Sequence, residues 1–503
     1  MRCFYLASGR KISHQKSCFH GIGLTAEKIE ASTNILKCKT GQLPITYLGL
    51  TVGANMNRIN NWTPVIQTFE QRLSSWKAGR ITLIRSVLDS LPTYFFSLYK
   101  APVCVIAKLE KIRKSFFWGE TSSNKKIPWV SWDRVIAPVE DGGLGLGCLN
   151  AKNLSLLSKW WWRLRNEPDS LWGRTITSIH FSQRNCTQVP MKLGVVGAWL
   201  NIAKISSHLE KFNVSLQDLI TGTVGNGNTI RFWIDTWTGS KPLKDSFPDL
   251  FKLERNKGCY VRERCTGNGL YSQWEWNWSR SPSTPAELNQ FLELLSGIQT
   301  LNLTSTTDSW AWACDPSGTY TVKSMKHKLS KASFGPKHWN FPWNNLAPLK
   351  TNILGWRLEM NRLPTSDLLL RRNIPIPSLT CPLCNSHDET SQHLFISCPF
   401  SDALWTFLLS WCKIPLSKPS HARALFEIHK DPMISSKKSR LINLIVLSYI
   451  WTIWKIRNKC IFSNKPPSIR YATKELKSNS FLWLTNRSNA PRLEWSNWCN
   501  FTF

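Results

Sequence analysis

The sequence predicts an α+β fold that is mainly helical, with small strand elements, one compact Cys/His module and C-terminal helices. Three observations predict it. Apolar residues recur at three- and four-residue spacing through residues 63–116. Alternation is confined to short, aromatic-rich stretches in the middle of the chain. Four Cys and His residues fall within eighteen positions, and a long apolar stretch follows them at 441–454.

Taken in order, Thr63-Pro64 reads as a helix start, a capping hydroxyl followed by a proline in the first turn. Val65, Phe69, Leu73 and Trp76 continue that helix, and Ile81, Ile84, Leu88 and Leu91 predict a second one ended by Pro92. Val105, Leu109, Ile112 and Phe116 predict a third, whose other face carries Lys108, Lys111 and Lys114. Gly143, Gly145 and Gly147 read as a turn, because no Lys-Ser/Thr follows them as a phosphate loop requires. Trp160, Trp161 and Trp162 share a helix with Leu157 and Leu164, which favours core packing over base stacking. Residues 225–239 alternate as a short strand pair, Trp274, Trp276 and Trp278 alternate as a strand, and 308–324 read as a hairpin around Pro316-Ser317-Gly318. Trp233, Trp237, Trp310 and Trp312 are expected in strand cores. The stretch 441–454 is interrupted by Asn443, Ser448 and Thr452. It falls short of the roughly 20 apolar residues of a bilayer span, so it predicts a core helix. Trp483, Trp495 and Trp498 predict an ordered C-terminus. The resulting division is 1–60, 61–170, 171–305, 306–412 and 413–503.

Composition narrows the partners. The 503 residues hold 64 Lys and Arg against 32 Asp and Glu, a net charge of +32. With a pI near 9.8 this favours a polyanion, RNA or DNA, and sets aside an ordinary acidic enzyme. Between Glu70 and Lys126 eleven residues are basic and four acidic. Lys77, Arg80, Arg85, Lys108, Lys111 and Lys114 are the candidate phosphate contacts, with a merely solvated helix face as the alternative. Fifteen cysteines, an odd number, and no apolar leader in MRCFYLASGRKISHQ predict free thiols plus one metal site. No HExxH is present, and no catalytic residue is named.

The motif with the clearest chemistry is C-x2-C-x8-H-x4-C, formed by Cys381, Cys384, His393 and Cys398. A Cys-x-x-Cys turn grips an ion with two thiolates, and His-x4-Cys returns two more ligands from about one helical turn. Three soft thiolates and one imidazole suit structural zinc and argue against magnesium or calcium. His387 is the alternative imidazole. His393 is preferred because Leu394 and Phe395 continue it into an apolar helical stretch, whereas His387 sits in an Asn-Ser-His-Asp turn.

CPLC, ET, HLF and the last Cys, preceded by the Trp-rich 308–324 segment and APLKTNILGWRLEMNRLPT, resemble the zinc-binding domain downstream of reverse transcriptase in plant LINE-like (non-LTR) retroelements. LPITYLGLTVGA, RLSSWKAGRITLIRSVLDSLPTYFFSLYKAP, KSFFWGE, WVSWDRVIAPVEDGGLGL, NGNTIRFWIDTW and WTIWKIRNKCIF extend the resemblance over nearly the whole chain. It implies a remnant following the polymerase palm at 1–60, a thumb-like helical region at 61–170 and a zinc-binding domain at 306–412. The sequence departs from that family in lacking any Asp-Asp pair, which the polymerase needs for its metal ions. It also runs SSWK almost directly into AGRITLI, and no RNase H domain is recognised after 412. The expectation is a nucleic-acid-binding, zinc-containing fragment without polymerase activity. A zinc-stabilised protein-interaction scaffold or a relic is the alternative.

Overall fold

The computed structural model describes residues 13–502 except 14, 16, 48, 74–78, 121–125, 181–188, 193, 195–196, 267–272, 335–340, 415–417, 433 and 489–492. Its helices dominate, and its strands form four two-stranded sheets among the described residues. Two units emerge: Met1–Lys126 with Ile136–Pro138 and Gly145–Pro336, and Ile127–Val135 with Val139–Leu144 and Lys337–Phe503.

In the first unit the apolar spacing builds α1 (Thr63–Leu73), with Val65, Ile66 and Phe69 buried. The expected cap differs: Thr63 Oγ1 donates to Asn60 O at 2.7 Å, satisfying the preceding turn instead of the helix amides. The predicted 81–91 helix is shorter, Arg80–Leu83, and runs on as a π turn over Ile84–Leu88. Pro92 does not end helical structure for long. It stands at the start of a new helix, Thr93–Leu98, where its missing N–H is no loss. α2 (Val103–Trp118) follows, with Val105, Leu109 and Phe116 inward. Arg113 of this basic helix also turns inward. It pairs with Asp89 and Glu110 at 2.9 Å each and donates to the carbonyls of Leu146 and Gly147.

α3 (Leu149–Asn166) buries Leu154, Leu157 and Trp161 at helical spacing. All three consecutive tryptophans pack. Trp160 Nε1 donates to Ser97 O, Trp161 Nε1 to Ile202 O, and Trp162 stacks beside Tyr320 at 6.5 Å. Buried Asn153 accepts from Ala101 N and donates to Phe96 O and Tyr99 O, which fixes the end of helix Thr93–Leu98 against α3.

The strand expectations are corrected in three places. Segment 225–239 is no strand pair: the amides of Gly225, Gly227, Thr229 and Ile230 turn to the Asp308 carboxylate at 2.8–3.2 Å. Donors spent on a carboxylate cannot join a ladder. Segment 308–324 is half a hairpin. Ile220–Thr223 (β1) pairs antiparallel with Ser309–Trp312 (β2), and after a turn closed by Gly318 N to Asp315 O the chain enters a helix, Val322–Phe334. Around Trp274–Trp278 only Gln273–Trp274 pairs as strand, with Cys265–Thr266. The alternation survives as a ring stack, Trp276 on Trp278 at 5.0 Å and 6°, over Phe291. Trp233 and Trp312 are fully buried, and Trp237 and Trp310 half-buried.

Tyr320 reaches across this core to donate to Ser155 O of α3. Tyr320→Phe keeps the packing and removes the bond. A loss of about 1 kcal/mol is expected in denaturant unfolding; an unchanged midpoint would show the bond to be idle.

The second unit is built round α4 (Ser436–Ser463). Every residue from 442 to 450 is buried, so neighbours surround this part of the helix. Two of the three polar interruptions have partners here, Asn443 Oδ1 accepting from Asn344 Nδ2 at 2.9 Å and Ser448 Oγ donating to Leu476 O at 3.2 Å, while the buried Thr452 hydroxyl has none among the described residues. Helices Leu349–Glu359, Pro399–Cys412, Ile469–Arg487 and Trp495–Asn500 complete the unit, the last burying Trp498. No helix among the described residues is long and apolar enough to cross a membrane. The thirteen described cysteines are all free thiols.

Candidate metal centre

The CPLC turn is shaped by its own backbone. Cys381 N donates to His387 O at 2.7 Å and Asn385 N to Cys381 O at 2.9 Å, with Asn385 in the left-handed region at φ 52°. A bridge between Thr380 and Asp388 closes the base of the loop. This fold-back turns Cys381 and Cys384 toward one point, and amides of Leu383 and Cys384 bond to the Cys381 sulfur.

His393–Ser397 forms a π turn, and Cys398 N donates to His393 O at 2.8 Å. In an α-helix, residues five apart point about 140° from each other. The wider i→i+5 turn brings them back over one another, so His393 and Cys398 serve the same point. Cys398 then stands at the N-cap of helix Pro399–Cys412, with Pro399 in its first turn and the amides of Phe400 and Ser401 near its sulfur.

Donor atoms of Cys381, Cys384, His393 and Cys398 all lie within 4.8 Å of one another, and Cys384 Sγ is 3.3 Å from His393 Nε2. An ideal tetrahedral site with bonds of about 2.3 Å to sulfur has edges of about 3.8 Å, so the set is nearly closed already. Cys381 and Cys398 are fully buried. The Cys381 thiol bonded to Cys398, helped by the two helix amides, holds Cys398 below the ordinary thiol range. The same bond and burial push Cys381 up. Burial, then the neighbouring His387, lowers His393, which keeps its imidazole neutral and able to ligate. Three sulfurs and one nitrogen, with no fifth donor in the group, fit a structural Cys3His shell. His387 is exposed, its ring 5.3 Å from that of His393, and only its carbonyl supports the loop.

Outer contacts hold the loop between the two ligand pairs. Glu389 is fully buried and accepts from Arg457 Nε at 2.5 Å and Nη2 at 2.7 Å, and from Ser366 Oγ at 2.6 Å. Tyr449 Oη donates to Phe395 O and Ser401 O, on either side of Cys398. Arg457 and Tyr449 both stand on α4. Neither role is visible in the local spacing of the motif.

The candidate phosphate contacts are spread differently. Lys108 and Lys111 are exposed on α2 and Lys114 is half-buried. Arg85 is exposed. Arg80 is half-buried, its guanidinium against Gly119 at the end of α2, which places it as a packing cation. Lys77 lies outside the described residues.

Residues 320–405 match the sequence model of the family described as zinc-binding in reverse transcriptase. Over 430 residues the chain is 26% identical to a protein of Arabidopsis thaliana named "Putative ribonuclease H protein", covering 80% of this chain. The chain spans 65% of that relative's length. It is also 27% identical over 149 residues to an uncharacterized mitochondrial protein of Arabidopsis thaliana, covering 29% of this chain and 92% of the relative. All four members of the Cys3His group fall inside the segment that matches this zinc-binding family.

Proposed function

We propose that this chain is a nucleic-acid-binding segment of a LINE-like retroelement protein, whose Cys3His shell holds one structural zinc. The observation that carries the reading is the convergence of Cys381, Cys384, His393 and Cys398 inside the family-matched segment of a chain with net charge +32. Zinc, when bound, supplies a fixed cross-link between the CPLC turn and helix Pro399–Cys412. The protein's own residues do the rest: sulfur-directed amides stabilise the thiolates, and Arg457 and Tyr449 orient the loop. In this reading Lys108, Lys111 and Lys114 meet phosphates, with Lys77 and Arg85 as further candidates, while Arg80 packs against the end of α2. The ribonuclease H name of the longer relative supports a nucleic-acid partner, and the partner class proposed is RNA or DNA.

A salt titration of binding to labelled RNA and DNA tests this. Each neutralised phosphate contributes a slope of about −0.9 on duplex and about −0.7 on single strands. Replacing Lys108, Lys111 and Lys114 together by Gln is expected to reduce the slope by about two on single strands and nearer three on duplex. Absence of binding even at low salt would refute the reading and favour a protein-interaction scaffold.

A further inference from the structure

Helices Leu349–Glu359 and α4 pack side by side in the second unit and leave an open groove of about 500 Å³ between their outer faces. Its lining follows helical arithmetic. Lys350, Ile353, Leu354 and Arg357 come from one helix at i, i+3, i+4 and i+7. Trp451, Trp454, Lys455, Asn458 and Lys459 come from the other at i, i+3, i+4, i+7 and i+8. The floor is aromatic and aliphatic, the rim holds four cations, and no lining residue is acidic.

Both indoles are half-buried, with a cation on each: Lys350 lies 4.9 Å from the Trp451 centroid and the Arg457 guanidinium 4.9 Å from that of Trp454. Lys459 rests on Tyr471, and Lys455 is anchored by Glu475 at 2.6 Å. Arg357 is positioned by the Arg362 carbonyl and is pushed down to about 10 by burial and by Arg372. An arriving anion would relieve that crowding of positive charge. Flat rings in a cleft whose lining holds four cations and no carboxylate, Glu475 pairing with Lys455 from outside it, suit a ligand with alternating planar bases and phosphates. A duplex hides its base faces and could use only the rim.

We infer that this groove holds bases of a single-stranded nucleic acid, stacked on Trp451 and Trp454, with its phosphates on Lys350, Lys455 and Lys459. The inference rests on the proposed nucleic-acid binding and deepens it by naming the strand form and the site. It concerns residues well separated in sequence from the Lys108–Lys114 face.

The test uses the full chain, loaded with zinc, and labelled dT and rU oligonucleotides beside a duplex of equal length. The variant Trp451→Leu/Trp454→Leu keeps apolar packing and removes both ring faces. Base stacking is worth about 1–3 kcal/mol per base, so single-strand affinity is expected to fall at least about fivefold while duplex binding holds. In parallel, photo-cross-linking of iodouracil-substituted dT and rU strands to the unmodified chain is expected to label the peptide containing Trp451 and Trp454. The dT and rU arms separate DNA from RNA as the source of the strand. A folded, zinc-replete variant that binds single strands as the parent does, or cross-links confined to other peptides, would overturn the groove while leaving general binding intact. If the double variant fails to fold, the cross-link on the parent chain decides. Failure of every nucleic acid to bind would overturn both readings.

Discussion

Replacing Cys381 and Cys384 together by Ser is expected to reduce bound zinc from near one ion per chain to near zero and to unfold the 378–398 loop. Apart from the Glu389 contacts to Arg457 and Ser366, the loop has little else to define it. Its backbone bonds are few, its turn needs Asn385 at positive φ, and two of its four ligand side chains are fully buried thiols. Apparent zinc binding in small Cys/His modules is worth about 10–16 kcal/mol, and much of it is folding free energy. Here the flanking Leu394, Phe395 and Ile396 are buried in the unit's core, so helix Pro399–Cys412 is expected to survive metal loss while the CPLC turn does not. Hydrogen exchange reads this directly. The amides of Cys381, Asn385 and Cys398, all bonded within the site, should lose protection on chelation. A chelated chain with unchanged exchange there, or a double variant that retains stoichiometric zinc, would remove the metal from the account.

The Cys3His cluster was legible because its four members are close in sequence and their spacing is their geometry. Two residues between cysteines make a turn, and four between His393 and Cys398 make one turn of some helix. The spacing did not say that the turn is π, which is what aligns the two ligands. Long-range pairing was not legible. β2 finds β1 some ninety residues earlier, because Trp312 and Tyr320 are drawn to the same core beside α3, their rings 4.7 Å apart. Alternation at 274–278 correctly gave side-chain direction, while pairing is limited to Gln273–Trp274 and a single bridge from Trp278 to Glu254. The basic excess around α2 included Arg113, which charge counting assigns to a partner and the fold assigns to Asp89 and Glu110. The groove residues Trp451 to Lys459 do carry a period in the sequence, but the buried run before them reads as a single core helix until the face opposite is known.

Replacing Arg457 by Met is expected to destabilise the second unit strongly. The Arg457 guanidinium grips Glu389 with two bonds and donates to Pro364 O, while its plane rests on Trp454 of the groove. The partners' side chains are 5% and 0% exposed. Arg457→Met leaves the Glu389 carboxylate buried with only the Ser366 donors, which is expected to cost about 3–5 kcal/mol in denaturant unfolding. Lysine should rescue little, because a point charge cannot reproduce the two parallel bonds. Removing both charges, Arg457→Met with Glu389→Met, should recover much of the loss. Recovery should stay incomplete, since the Ser366 amide that Glu389 satisfied is then unpaired. Because Glu389 lies between Cys384 and His393, the single variant should also weaken zinc about 10- to 100-fold, as the loss of an outer-shell contact does. That coupling separates two roles for the pair. If stability falls and zinc affinity does not, the ion pair merely fastens α4 to the loop. If both fall together, the long helix sets the shape of the metal site, and the aromatic groove and the zinc loop share one side chain.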